Sequence, residues 1–106
     1  MARKKRYILV EAAAPIERSG QLQFERGLFR ELYKAIGEPN QYKLKPKIVS
    51  FLGAHIFVLR CDLAGYNDAR RVLNGIKSLD GKKADFRTLK SSGTLRALSK
   101  SLPKPE

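Results

Sequence analysis

The sequence predicts an α+β domain: a four-stranded antiparallel sheet carrying two helices on one face, with a further helix near the C-terminal end. Three observations lead there. Stretches of β-favouring residues alternate with stretches of helical spacing in the order β-α-β-β-α-β-α. Turn-forming Gly, Pro, Ser and Asp residues separate almost every pair of stretches. At 106 residues the chain has room for one modest core and no more.

The elements follow in order. Residues 4–14 (KKRYILVEAAA) form a strand whose run Tyr7-Ile8-Leu9-Val10 is continuous enough for a central position, ended by Pro15 and Ser19-Gly20. Residues 21–36 set Phe24, Leu28, Leu32 and Ile36 four apart, with Leu22, Phe29 and Tyr33 alongside. Gly37 and Pro39 stop that helix. KIVSFL (47–52) and HIFVLRC (55–61) are two strands joined by a tight Gly53-Ala54 hairpin. A second helix over 66–79 shares a face among Tyr66, Ala69, Val72, Ile76 and Leu79, with Gly75 as its weak point. After an Asp80-Gly81 turn, KKADFRTLK (82–90) is the fourth strand. The chain then breaks at Ser91-Ser92-Gly93-Thr94, and a last helix from about Gly93 to Leu102 stops at Pro103. Right-handed crossovers make this order a ferredoxin-like βαββαβ sheet with an extra C-terminal helix, the plan of RNA-recognition domains. We divide the chain into a basic arm (1–6), one domain (7–102) and a short tail (103–106), with both ends frayed and no internal repeat.

Charge narrows the function. Twenty-two Lys and Arg oppose ten Asp and Glu, a net charge of +12 that calls for a polyanionic partner. Nucleic acid is favoured over a membrane surface, because no basic helix carries aromatics on an apolar face. No apolar run approaches the roughly 18 residues of a membrane span, and the basic start lacks the apolar core of a signal peptide. The single Cys61 leaves no internal disulfide and points to a reducing compartment. Catalysis has little to work with. His55 is the only histidine, and Cys61 beside Asp62 has no partner motif. Asp62, Asp68, Asp80 and Asp85 lack the spacing of a metal loop, Asp68 and Asp80 suiting turns or caps, and there is no glycine-rich phosphate loop. No catalytic residue, metal or bound cofactor is expected of the protein.

The cations fall into three groups: Arg3, Lys4, Lys5 and Arg6; Lys43, Lys45 and Lys47 around Pro46; and Lys82, Lys83, Arg87, Lys90, Arg96 and Lys100. One such group is ordinarily a solvated face; three with so few acids suggest a phosphate-binding surface. Strand alternation sends Phe57, Leu59 and Cys61 to the helices and Ile56, Val58 and Arg60 away; it also sends Ala84, Phe86 and Thr88 in, and Asp85, Arg87 and Leu89 out. Arg60 and Arg87 therefore share the open face. Tyr7 is the sole aromatic available there, so base stacking is the weaker mechanism. The apolar Leu9, Val58 and Leu89 call for a cover, either the terminal helix through Leu95, Leu98 and Leu102 or a protein partner. Ser91, Ser92 or Thr94 can cap that helix, and Ser92-Gly93-Thr94 between Lys90 and Arg96 is either a phosphate seat or a plain capped helix. The candidate RNA-binding set is Arg3, Lys4, Lys5, Arg6, Lys45, Lys47, Arg60, Lys82, Lys83, Arg87, Lys90, Ser92, Gly93, Thr94 and Arg96.

KRYILVE near the start, FVLRCD after the hairpin and GKKADFRTLKSSGTLRAL resemble the small ribonuclease P/MRP subunit of archaea and eukaryotes, protein component two, over roughly Lys5 to Leu102. The compact archaeal form is the more similar; the Ala-rich EAAAPIERSGQ departs from the pattern. The resemblance implies a ferredoxin-like, non-catalytic subunit of a ribonucleoprotein endoribonuclease. In that assembly the RNA, with Mg²⁺, removes the 5′ leader of precursor tRNA. Ribonuclease P RNA, precursor tRNA and the TIM-barrel-like protein component three are the implied partners, the two proteins pairing as a two-plus-two heterotetramer. The implied location is cytoplasmic, or nucleolar in a eukaryotic source. The alternatives are a ferredoxin-like adaptor for an acidic protein and a ribosomal or DNA-binding protein.

Overall fold

Eight consecutive residues, Lys5–Ala12, form the strand around which everything else is arranged (β1). The computed structural model describes residues 4–37, 44–79 and 82–99. Beside β1 lie β3 (Ile56–Asp62) and β6 (Phe86–Ser92), and β2 (Lys47–Phe51) pairs with the outer side of β3. The order is β2-β3-β1-β6 with every pairing antiparallel, the ferredoxin-like sheet the sequence predicts. Helices α1 (Gln21–Ile36) and α2 (Tyr66–Gly75) cover one face; the short α3 (Leu95–Ser99) lies on the other.

The helix-covered face is the core. Ile8, Val10 and Ala12 of β1 and Phe57, Leu59 and Cys61 of β3 meet Leu28 and Leu32 of α1 and Ala69 and Leu73 of α2. Phe24, Phe51, Phe57 and Phe86 form a ring cluster in edge and tilted contacts, with centroids 5.4–6.2 Å apart. Each such pair adds roughly 0.5–1.5 kcal/mol beyond area burial. Gly37 ends α1 in the left-handed region (φ 73°), its N–H donating to the Tyr33 carbonyl. The outward side of the edge strand β6 is occupied by Asn74, whose amide exchanges 3.4 Å hydrogen bonds with Thr88.

Four expectations need correction. Helix α2 stops at Gly75 rather than Leu79, because Ile76 is already extended (ψ 124°) and Leu79 belongs to β4 (Ser78–Leu79). The expected strand 82–90 is two pieces. Lys82–Lys83 (β5) pair with β4 in a separate ribbon, and β6 begins only at Phe86, after the Ala84 N–H is taken by the Lys77 carbonyl. Strand β6 then runs through Ser91 and Ser92, so the break falls at Gly93. The β2–β3 connection is also wider than a two-residue turn, with Leu52 donating to the Ile56 carbonyl around residues 53–55. The Asp80-Gly81 turn, Pro39, Leu102, Pro103 and the two chain ends lie outside the described residues.

Candidate nucleic-acid interface

Antiparallel pairing places directly opposed residues on one face, so the register gives the open face row by row. One row crosses all four strands: Lys47 opposite Arg60, Arg60 opposite Tyr7, and Tyr7 opposite Ser92. The next row sets Val58 against Leu9 and Leu9 against Lys90. A third sets Ile56 against Glu11 and Glu11 against Arg87. Arg60 and Arg87 do share the open face, as alternation predicts.

Lys90 and Ser92 reach that face for a reason alternation misses. The β1–β6 register slips at Leu9/Val10, where Leu89 is the extra residue. This bulge reverses the phase of β6. Before it, Phe86 and Thr88 point to the helices; after it, Lys90 and Ser92 point away and Ser91 points in. A second slip at Val49 keeps Lys47 beside Arg60 while Phe51 still enters the core.

The apolar middle of the open face is closed by α3. Leu98 is fully buried against Leu9 and Val58, with Tyr7, Val49 and Ile56 packed around them. The sequence expected this cover from Leu95, Leu98 and Leu102; Leu98 supplies it, whereas Leu95 is 40% exposed. Tyr7 leans on this patch and is not a free stacking platform.

Electrostatics differ along the face. At one end the Arg87 guanidinium donates to Glu11 at 2.6 Å, which spends much of its charge. At the other, Lys5 is paired to the buried Asp62. Between them Arg60 holds a buried Nε without a hydrogen-bond acceptor among the described residues. A buried donor without a partner is costly, and a guanidinium has no way to shed its charge. Lys47 and Arg60 lie between these two pairs, with Lys90 in the adjoining row.

The remaining candidates are dispersed. Lys4 is exposed just before β1, and Lys45 is exposed at a left-handed turn (φ 41°) into Pro46. Lys82 and Lys83 lie in the β4–β5 ribbon, away from the row. Arg96 is exposed on α3. Arg3 lies outside the described residues. Arg6 points to the helix face, opposite Cys61, with its guanidinium 5.2 Å over the Tyr66 ring. At the strand-to-helix junction the Ser92 hydroxyl accepts the Thr94 N–H (3.3 Å), a local turn that precedes α3. The Ser91 hydroxyl is instead 2.6 Å from the Tyr66 phenol. Gly93 sits beside Arg6, whose Nη1 is 3.7 Å from where a side chain at Gly93 would start.

Groups with reactive potential have structural partners. His55 is exposed and its Nδ1–H donates to the Ala12 carbonyl at 2.9 Å, tying the hairpin turn to β1. Cys61 is fully buried, and burial followed by the Asp62 charge pushes its thiol up to about 11. Among the described residues no three His, Cys, Asp or Glu side chains converge as a metal site. Three carboxylates each pair with a single cation: Asp68 with Arg71, Asp85 with Lys77, Glu11 with Arg87.

Fold and charge together define a basic ferredoxin-like domain. The sequence model of the Rpp14/Pop5 family matches residues 6–103. The chain therefore belongs to that family, the small protein subunits of ribonuclease P and MRP. A chain in the cryo-EM structure of yeast ribonuclease MRP is similar in fold, with a TM-score of 0.61 at 14% identity, over 91% of this chain and 79% of that one. Among curated proteins none is similar enough in sequence to count as a match.

Proposed function

We propose that this subunit binds the RNA of a ribonuclease P/MRP-type particle through the open face of its sheet. Its cations neutralise phosphates so that the folded RNA and a precursor tRNA approach one another. The observation that carries this reading is the cross-strand row Lys47–Arg60–Tyr7–Ser92, with Lys90 in the adjoining row, on a face whose apolar centre α3 already closes. Such contacts position a backbone and do not read bases, so low sequence selectivity follows. In this reading, removal of the 5′ leader is the work of the RNA and its Mg²⁺. A TIM-barrel-like protein partner, paired two-plus-two, is the assembly the family resemblance supports.

The test compares binding of structured RNA, duplex DNA and an acidic protein across a salt series, followed by reconstituted precursor-tRNA cleavage with and without this subunit and its protein partner. With about six phosphates engaged, log affinity for RNA is expected to fall against log salt with a slope of roughly −4 to −5. A flat salt response, or equal stimulation of cleavage when the subunit is omitted, would overturn the reading.

A further inference from the structure

The end of β6 has two sides, and the interface above uses only one. Ser92 faces the open side; Ser91, one residue earlier, faces the helices and holds the Tyr66 hydroxyl at 2.6 Å. Tyr66 opens α2, and Arg70, one helical turn on, lies on the same side of that helix, where its charge helps to lower the phenol's titration. Arg6 reaches the same place from β1, stacked on the Tyr66 ring with its Nη1 under Gly93. Two guanidinium groups and two hydroxyls thus converge at the edge of the sheet.

Among the described residues no carboxylate pairs with either guanidinium. The nearby acid of α2, Asp68, is engaged by Arg71 at 3.0 Å. Asp62 lies on the opposite face with Lys5. Among the described residues the Arg6 Nε is buried without an acceptor, as is that of Arg60 on the other face. The Tyr66 phenol titrates below its ordinary value, first through the Ser91 hydroxyl and then through Arg70 and Arg6, in spite of its partial burial. A phosphate offers what the cluster lacks: a negative charge and several acceptor oxygens for planar guanidinium donors.

We propose that Arg6, Tyr66, Arg70 and Ser91 form a second RNA-phosphate seat, on the helix-bearing side of the sheet, so that a strand rounding the end of β6 at Gly93 is held from both faces. The proposal rests on the RNA-binding reading above and adds a site to it. Gly93 is exposed and without a side chain at the point of passage, which leaves the backbone path open. An RNA phosphate is favoured over an acidic protein segment because the open-face row ends at Ser92, the adjacent residue, so one backbone reaches both sites.

The experiment measures RNA affinity and its salt dependence for the full chain, with Arg70→Gln, Tyr66→Phe and the Arg6→Gln/Arg70→Gln pair, and Arg71→Gln as a neighbour of equal charge. Arg70 and Arg71 are both exposed, so their variants test the seat without asking much of the fold. Expected are a roughly ten-fold loss of affinity at low salt for Arg70→Gln and a larger one for the pair. The pair should also make the salt slope shallower by about one, the share of a single phosphate. Arg71→Gln should change little. If the unmodified chain binds RNA and Arg70→Gln and Tyr66→Phe bind it equally well, the seat is overturned while the open-face reading stands. If the variants lose a protein partner and keep RNA, the site belongs to protein recognition and the proposal fails. If the unmodified chain binds no RNA, both readings fall together.

Discussion

On the helix-covered face, residues from all four strands of the sheet meet α1 and α2, and Phe57, Leu59, Ile8, Leu28 and Leu32 are all fully buried. On the open face, Leu9, Val58 and Leu98 are the buried cluster, under the short α3. Both faces come from the same alternating strands. The difference is the amount of cover. Two helices seal the middle of one face and leave charge only at its edge, where Arg6 stacks on Tyr66; a single short helix covers the middle of the other and leaves Lys47, Arg60 and Lys90 around its rim. Most of the packing therefore resides on the first face and the cross-strand row of charge on the second, so substitutions should separate the two.

The largest effect is expected on the sealed face. Phe57→Ala removes a ring in contact with Phe24, Phe51 and Phe86 and should cost about 3–5 kcal/mol in denaturant unfolding. Leu98→Ala should cost less, about 2 kcal/mol, because only a small cluster collapses, and should increase binding of a hydrophobic dye as Leu9 and Val58 are uncovered. A Leu98 variant as damaging as Phe57→Ala would erase the proposed asymmetry.

A pH effect sharpens it further. Cys61 ionises at about 11 when folded against 9.0 for the free thiol, so the unfolded chain loses its proton first. Stability should fall as pH rises from 9.0 towards about 11, by at most roughly 3 kcal/mol, and no further through this group above that. The lowered Tyr66 acts in the opposite sense near its ordinary value of 10.0, so the comparison is between the chain and Cys61→Ala, which should lose the extra alkaline slope. The smallest effect is expected for Glu11→Gln. Its pair with Arg87 is largely exposed and worth less than about 1 kcal/mol, yet freeing Arg87 should tighten RNA binding at low salt. Weaker RNA binding in that variant would place Glu11, and not the cations, at the contact.

Helix α1 was legible to the residue, because four-residue spacing and a Gly37 stop agree. The central place of β1 followed from its continuous apolar run, and an apolar open face called for a cover without saying whether the terminal helix or a protein partner supplies it; Leu98 does. The candidate site was legible only in part. Arg60 and Lys47 could be placed by counting in twos, but Lys90 and Ser92 could not, because a one-residue bulge at Leu89 reverses every side chain after it and leaves no compositional trace. Arg6 was grouped with a loose arm although its β1 position fixes it on the helix side. Helical spacing puts Tyr66 on the core face alone; its spacing of four from Arg70 is the signal for more. The β4–β5 ribbon escaped because two-residue strands depend on tertiary contacts such as Ala84 N–H to Lys77 C=O.

The central claim is that a face, and not net charge, binds RNA. It is tested most directly by two triple variants that remove the same charge. One replaces Lys47, Arg60 and Lys90 with Gln; the other replaces Arg18, Arg26 and Lys34, exposed residues of α1 and the turn before it. Salt-dependent RNA binding is measured for both alongside the unmodified chain. The open-face triple is expected to lose affinity by about 30-fold or more at low salt, with a slope shallower by roughly two, while the helix triple stays within about three-fold. Equal losses in the two triples would contradict the account, since RNA would then be answering to the total charge alone.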